Sequence, residues 1–308
     1  MREAIRVRVA GSTARRVLAE PGEGAVFAAF ERALYVEGER GLVCLGPLCL
    51  GRGPLNLLCA DWRPGAVKPG TPAWWSRGEI RLAGGTVFSL AEAVDWRPPR
   101  PADWRPADLR RGLSALARAA ARRAPPEGLG RLIPALVDGA PRAAEDAASP
   151  LLRRAASGIA ALAEWLAWGA GPAPPSAVCE LIGLGPGLTP SGDDLLGGVL
   201  IALHALGRPD ATERLSAWAL PLAATRTGLI SRAHLAAAAA GEGAEPLHRV
   251  LAAICAGAQA GWEDELDTIA GMGHCSGWDA LAGIALAGAA FAGIHADGLA
   301  MTATPVVG

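Results

Sequence analysis

The sequence predicts an α+β fold, with a small β-rich N-terminal domain, barrel- or sandwich-like, followed by an all-α C-terminal domain. Three observations carry this expectation. Residues 1–95 consist of short apolar runs broken by glycine and proline. Residues 96–106 are proline-rich and lack any apolar period, which places a linker there. From residue 107 to 308 the apolar residues recur at helical spacing.

In the first domain Ile5-Arg6-Val7-Arg8-Val9 alternates as a half-buried strand does. Further strands are expected at Ala25–Phe30, Ala33–Val36, Leu42–Leu45 and Leu55–Cys59. Glu79–Leu82 and Thr86–Phe88 flank Gly84-Gly85, a hairpin turn signal. Short strands at this spacing favour a barrel or sandwich. The tetrapeptide Asp-Trp-Arg-Pro occurs at 61–64, 95–98 and 103–106. Stacking of Trp and Arg on a base or cofactor is one reading, and the plainer one is that these turns fasten loop ends to the neighbouring domain.

In the second domain helices are expected at 107–123, 130–137, 144–168, 193–206, 211–223, 229–240, 245–260, 263–271 and 277–291. Ala and Gly dominate their apolar faces, so their backbones can approach closely. The run from Ala280 to Ile294 is too short for a membrane span and reads as a buried core helix.

Composition narrows the function classes. Of the 308 residues 51% are hydrophobic and 19% charged, enough apolar material for a sizeable core. The net charge of -1 offers no general surface for nucleic acid, whose phosphates demand a basic excess. Lys68 is the single lysine, which removes a P-loop lysine from every glycine-rich turn of the chain. The six cysteines form no Cys-x-x-Cys pair and suit a reduced, cytoplasmic setting. Residues 1–10 lack the apolar core of a signal peptide.

The most informative stretch is Gly183-Leu-Gly-Pro-Gly-Leu-Thr-Pro-Ser-Gly-Asp-Asp194, a glycine turn running into an apolar helix. Its core, Ser191-Gly-x-Asp194-x-Leu196-x-Gly198, recurs as Ser276-Gly-x-Asp279-x-Leu281-x-Gly283. Ser191 with Asp194, and Ser276 with Asp279, have capping-box spacing, so a purely structural helix start is the first alternative. The surrounding glycines and the extra carboxylate of Asp193, which capping does not need, point instead to a site. Free amides at Gly185, Gly187, Ser191 and Gly192, with the hydroxyl of Thr189, suit a carboxylate or phosphate. Asp193 and Asp194 would repel such an anion unless a cation or basic group intervenes. Mg²⁺ held by Asp193 and Asp194 is one solution, since hard oxygen ligands suit it. A basic side chain is the other, and His274, just before the second copy, is expected to approach Asp193 or Asp194 and move a proton. Asp279 repeats the carboxylate, and Ser276 and Gly277 repeat the hydroxyl and amide. Cys275 is a weaker candidate nucleophile, since nothing marks its thiolate as stabilised.

A third constellation is Thr225-Arg226-Thr227-Gly228-Leu-Ile-Ser231-Arg232. Thr227 or Ser231 is expected to cap the helix that follows, and Arg226 and Arg232 to clamp an anion. Thr225 completes the polar turn. His204 falls on an apolar helix face and reads as a core histidine. Glu263, Asp264, Glu265 and Asp267 read as a solvated first turn.

These motifs resemble those of the AllH-type subunit of oxamate carbamoyltransferase, a bacterial family of anaerobic allantoin and purine breakdown. The resembling residues are Ile182 to Asp194, then Thr225, Thr227 and Ser231, then Gly273-His274, Ser276-Gly277, Asp279 and Leu281-Ala282-Gly283. The resemblance implies carbamoyl transfer between carbamoyl phosphate and oxamate, giving oxalurate and phosphate. It also implies a complex with other subunits, one resembling acyl-CoA synthetase chains. The phosphate loop of the usual transcarbamylases, Ser-Thr-Arg-Thr-Arg, is absent. A non-catalytic assembly subunit and a small-anion-binding protein remain the alternatives.

Overall fold

The computed structural model describes residues 4–76, 78–99, 103–144, 149–169, 171–258 and 261–293. The chain divides into two compact units, residues 1–99 with 242–245, and residues 100–241 with 246–308.

The first unit is built on β1 Ile5–Gly11, β2 Gly22–Ala29, β3 Leu34–Gly38, β4 Gly41–Pro47, β5 Asn56–Cys59, β6 Pro72–Ser76, β7 Glu79–Leu82, β8 Val87–Ser89 and β9 Val94–Trp96. Their order is β5-β4-β3-β2-β6-β7-β8-β1-β9. Antiparallel pairing of β1 with β5 closes the first eight into a barrel, and β9 adds to β1 in parallel. Closure leaves the eight strands without a free edge. Val7, Val26, Val36, Leu45, Leu57, Ile80 and Phe88 alternate inward to fill it.

Three elements of this unit escape the sequence reading. α1, Ser12–Val17, is too short to show a helical period. β6 opens on Pro72 and carries Trp74 and Trp75 in place of an aliphatic alternation. β9 has three residues and ends on Trp96, which its prolines assign to the linker. The rest of that linker includes 100–102, outside the described residues.

The three Asp-Trp-Arg-Pro turns act inside their own units. The Trp62 indole donates to the Glu31 carbonyl at 3.0 Å and packs on Phe88. Trp96 is buried beside Gly11, its register partner. Trp104, in the second unit, lies under the guanidinium of Arg208, which also covers Phe291.

The second unit holds α2 Pro106–Arg123, α3 Ile133–Val137, α4 Pro150–Ala167, α5 Ser191–Ala205, α6 Pro209–Arg226, α7 Leu229–Ala239, all but the first residue of α8 Glu245–Cys255, α9 Asp264–Ala270 and α10 Ser276–Phe291. Every expected helix is present, although residues 130–132 form a 3₁₀ turn before α3. Parts of three expectations, residues 145–148, 259–260 and Ile294, lie outside the described residues. α10 is buried from Gly277 to Ala289, as its Ala- and Gly-rich composition predicts. Among the described residues no helix is long and apolar enough to cross a membrane.

The most extensive helix contact joins α5 and α10, the two helices that carry the repeated motif. A Cβ on Gly198 would stand 1.9 Å from the Ala280 carbonyl oxygen, and one on Gly283 would stand 1.9 Å from that of Leu195. Ala280 and Leu195 occupy the same place in the two motif copies. The copies therefore meet reciprocally, each glycine seated on the other's backbone.

Candidate functional site

The reciprocal seating brings both helix starts to one mouth. Pro190 and Cys275 occupy the N-cap positions, and neither helix has a side-chain cap. The predicted capping boxes therefore do not form. The serines work across the pair instead. Ser191 lies near the Asp279 carboxyl and Ser276 near that of Asp194, and each favours the ionised form of its neighbour. Thr189 adds a direct bond between the copies, its hydroxyl 2.8 Å from that of Ser276.

Asp279 is 1% exposed and accepts the Leu129 N–H at 2.5 Å. Burial pushes its carboxyl up to about 6, against the opposing pull of Ser191 and of the Leu129 and Gly130 amides. Asp194 lies well above the usual carboxylate range. Burial is the main cause and the charges of Asp279 and Asp193 add to it, while Ser276 and Thr189 pull the other way. Its Oδ2 atom is enclosed and has no hydrogen-bond partner.

Asp193 has the structural task that the sequence hides. Its Oδ1 accepts the Gly183 N–H at 2.8 Å, and its Oδ2 accepts the hydroxyls of Thr227 at 2.5 Å and Ser231 at 2.7 Å. Thr227 and Ser231 thus hold Asp193 and do not cap α7, whose N-cap is Gly228. One buried carboxylate fastens the glycine turn to the α6–α7 junction.

That fastening shapes the loop. Gly183, Gly185 and Gly187 have φ of 77°, 115° and 98°, values that side chains rarely adopt. A Cβ on Gly183 would also strike the Arg226 carbonyl. The N–H groups of Gly185, Gly187 and Thr189 have no protein acceptor among the described residues. The Gly192 N–H, expected to be free, bonds the Leu184 carbonyl at 2.9 Å. Gly277 packs its Cα against Ile269.

Other predicted residues fall away from this centre. His274 does not reach Asp193 or Asp194. Its ring is 81% exposed and stands 3.8 Å from Glu127. Arg226 donates to the Cys179 carbonyl, and Thr225 turns back onto Leu222. Arg232 is exposed. Burial, with Asp279, Glu127 and Asp194 nearby, pushes the Cys275 thiol up to about 11, so it is protonated and a poor nucleophile. His204 is exposed, not a core residue, and bonds the Ala239 carbonyl. In the acidic run Asp267 pairs with Arg123 and Glu265 with Arg249.

The segment Gly128-Leu129-Gly130 belongs to the centre and was not foreseen. A Cβ on Gly128 would stand 2.5 Å from Asp279 Oδ1, and one on Gly130 would press on Trp278. Its string repeats Gly183-Leu184-Gly185, and each Gly-Leu-Gly donates a backbone N–H to a buried aspartate, Leu129 to Asp279 and Gly183 to Asp193. That echo was the available signal.

One of the two predicted magnesium ligands, Asp193, is already committed to other partners. Among the described residues no group of three or more His, Cys, Asp or Glu side chains could hold a metal ion. Asp193 is 2% exposed and already accepts three hydrogen bonds. A concavity of about 760 Å³ lies at the other end of α5 beside His204, Arg208 and Pro221. It holds none of the motif residues, so chemistry and not volume places the site.

A glycine turn and two crossed Ser-Gly-x-Asp helix starts define a polar, largely enclosed centre on an all-α unit. Residues 181–288 of the chain match the family model of oxamate carbamoyltransferase subunit AllH, the same span that holds both motif copies. No curated protein and no solved structure matches the chain.

Proposed function

We propose that the chain is a subunit of an oxamate carbamoyltransferase-like enzyme and that the mouth between α5 and α10 takes its small carboxylate- or phosphate-bearing substrate. The observation that carries this reading is the row of unused amides at Gly185, Gly187 and Thr189, set beside the hydroxyls of Thr189 and Ser276. The AllH match supplies the named reaction. In it the oxamate nitrogen attacks the carbamoyl carbon of carbamoyl phosphate, the C–O bond to phosphate breaks, and the nitrogen loses a proton. The loop amides bind the anionic end of the substrate, each such donor contributing about 3 kcal/mol where charge develops. Asp193 positions the loop. Asp194 and Asp279 face the reacting amide, and His274 at the rim carries the proton to solvent. Partner subunits, one acyl-CoA-synthetase-like, complete the enzyme in the cytoplasm.

The second reading is an assembly subunit, favoured by the reciprocal glycine seating, which needs no ligand to explain it. Calorimetric titration of the full chain with oxamate and with carbamoyl phosphate, each with and without Mg²⁺, separates the two. Saturable binding is expected, weakened roughly tenfold in Ser276→Ala for one lost hydrogen bond. No binding of either compound would leave the assembly role standing.

A further inference from the structure

The concavity beside His204 stands apart from the motif pair and has a regular wall. Its residues on α6 recur every three or four positions, from Pro209 through Thr212 and Ser216 to Leu220, so one helix face lines it over about 17 Å. The ends of α5 and α7 join it at His204 and Ala239, where the His204 ring bonds the Ala239 carbonyl at 2.9 Å. Its two ends differ in chemistry. Ala217, Leu220 and Pro221 make one end apolar, and Arg208 stands at the other. The Arg208 guanidinium lies over the Trp104 and Phe291 rings, 5.9 and 4.6 Å from their centroids. None of the ion pairs among the described residues includes it. Ring faces hold a guanidinium while its in-plane N–H donors stay available to a carboxylate. The side chain is exposed, so a ligand reaches it from solvent. Glu213, on the same wall, opposes any large build-up of negative charge there.

We infer that this concavity is a second binding site, one that takes an elongated monocarboxylate with an apolar body. Arg208 holds the carboxylate, and the body lies along α6 toward Leu220 and Pro221. The volume of about 760 Å³ falls within the roughly 300–1,000 Å³ that encloses most of a small organic ligand. The site also gives the third Asp-Trp-Arg-Pro turn a purpose, since Trp104 positions the arginine. α5 carries the motif residues in its first turn and reaches the concavity at its last, so the two sites lie about 20 Å apart. Binding here does not require the mouth between α5 and α10 to bind anything.

The test is calorimetric titration of the full chain with octanoate. Saturable one-to-one binding is expected in the wild type, roughly tenfold weaker in Arg208→Gln, which loses a charge-assisted hydrogen bond. Octanol lacks the charge and octyl phosphate doubles it, and each is expected to bind roughly tenfold more weakly than octanoate. Ala217→Phe is a second variant should Arg208→Gln fail to fold. Its position is exposed, it fills the apolar end while leaving Arg208 in place, and it is expected to lose octanoate as well. Ser276→Ala, at the other end of α5, is expected to leave octanoate affinity unchanged. Octanoate binding that is absent, exceeds one equivalent, survives both Arg208→Gln and Ala217→Phe, or is lost in Ser276→Ala would overturn the assignment. So would octyl phosphate binding as tightly as octanoate. Failure of oxamate and carbamoyl phosphate to bind would sink the mouth and leave this site standing.

Discussion

The two copies of the Ser-Gly-x-Asp helix start share a backbone and differ in what they hold. At the position after the glycine the first copy has Asp193, the second Trp278. Asp193 gathers polar groups from the glycine turn and the α6–α7 junction, whereas Trp278 is 2% exposed and packs over Gly130. Two residues before each serine the contrast recurs. Thr189 turns inward to Ser276, and His274 turns outward to Glu127. One copy supplies a shaped polar loop, and the other supplies a packed wall with a titratable rim. A repeated motif can thus fix geometry twice while chemistry is arranged once.

The largest expected effect breaks the polar copy. Asp193→Ala strands the Gly183 amide and the hydroxyls of Thr227 and Ser231, so a loss of about 4 kcal/mol is expected. Chemical denaturation measures it. A loss below 1 kcal/mol would mean that the glycine turn is not held by this carboxylate.

What the copies share is tested next. Gly198→Ala and Gly283→Ala each drive a methyl into a backbone carbonyl, and each is expected to cost about 3 kcal/mol. Reciprocity requires the two values to agree closely in thermal or denaturant unfolding. One tolerated substitution beside one damaging substitution would show that the seating is one-sided.

The smallest effect concerns the shared acids. Asp279 titrates near 6 in the folded chain, above its ordinary value of 3.8. Between those values the folded state binds more protons than the unfolded one, so this group's contribution to stability falls as pH rises through that window. The loss is on the order of 2–3 kcal/mol by pH 6. Asp194 is raised too and extends the decline upward. Asp279→Asn, followed by denaturation at several pH values from 4 to 7, is expected to flatten the lower part of the curve. An unchanged slope would remove Asp279 from the pair.

Much of this was legible beforehand, for identifiable reasons. Period and punctuation located the helices, and the motif echo identified α5 and α10 as the central pair. The direction of the serines was not legible. Ser-x-x-Asp spacing is equally compatible with a cap inside one helix and an approach to the neighbouring helix, and only the close packing allowed by Gly198 and Gly283 decides for the neighbour. The purpose of Asp193 was hidden for the same reason, since its partner Ser231 lies 38 residues away. His274 was misplaced because sequence proximity to a motif says nothing about which way an exposed ring turns.

The burial of α10 on nearly every side has a kinetic consequence. Its bonds reach far back along the chain, 87 positions from Ser276 to Thr189 and 150 from Asp279 to Leu129. Such loops close slowly, and an Ala- and Gly-rich helix has little to hold it in place before its neighbours assemble. The amide-lined loop would therefore exist as an incomplete half through most of folding, and the centre would form only when α10 slides into its slot. Competence to bind a ligand would then report the final step of folding and not an early one.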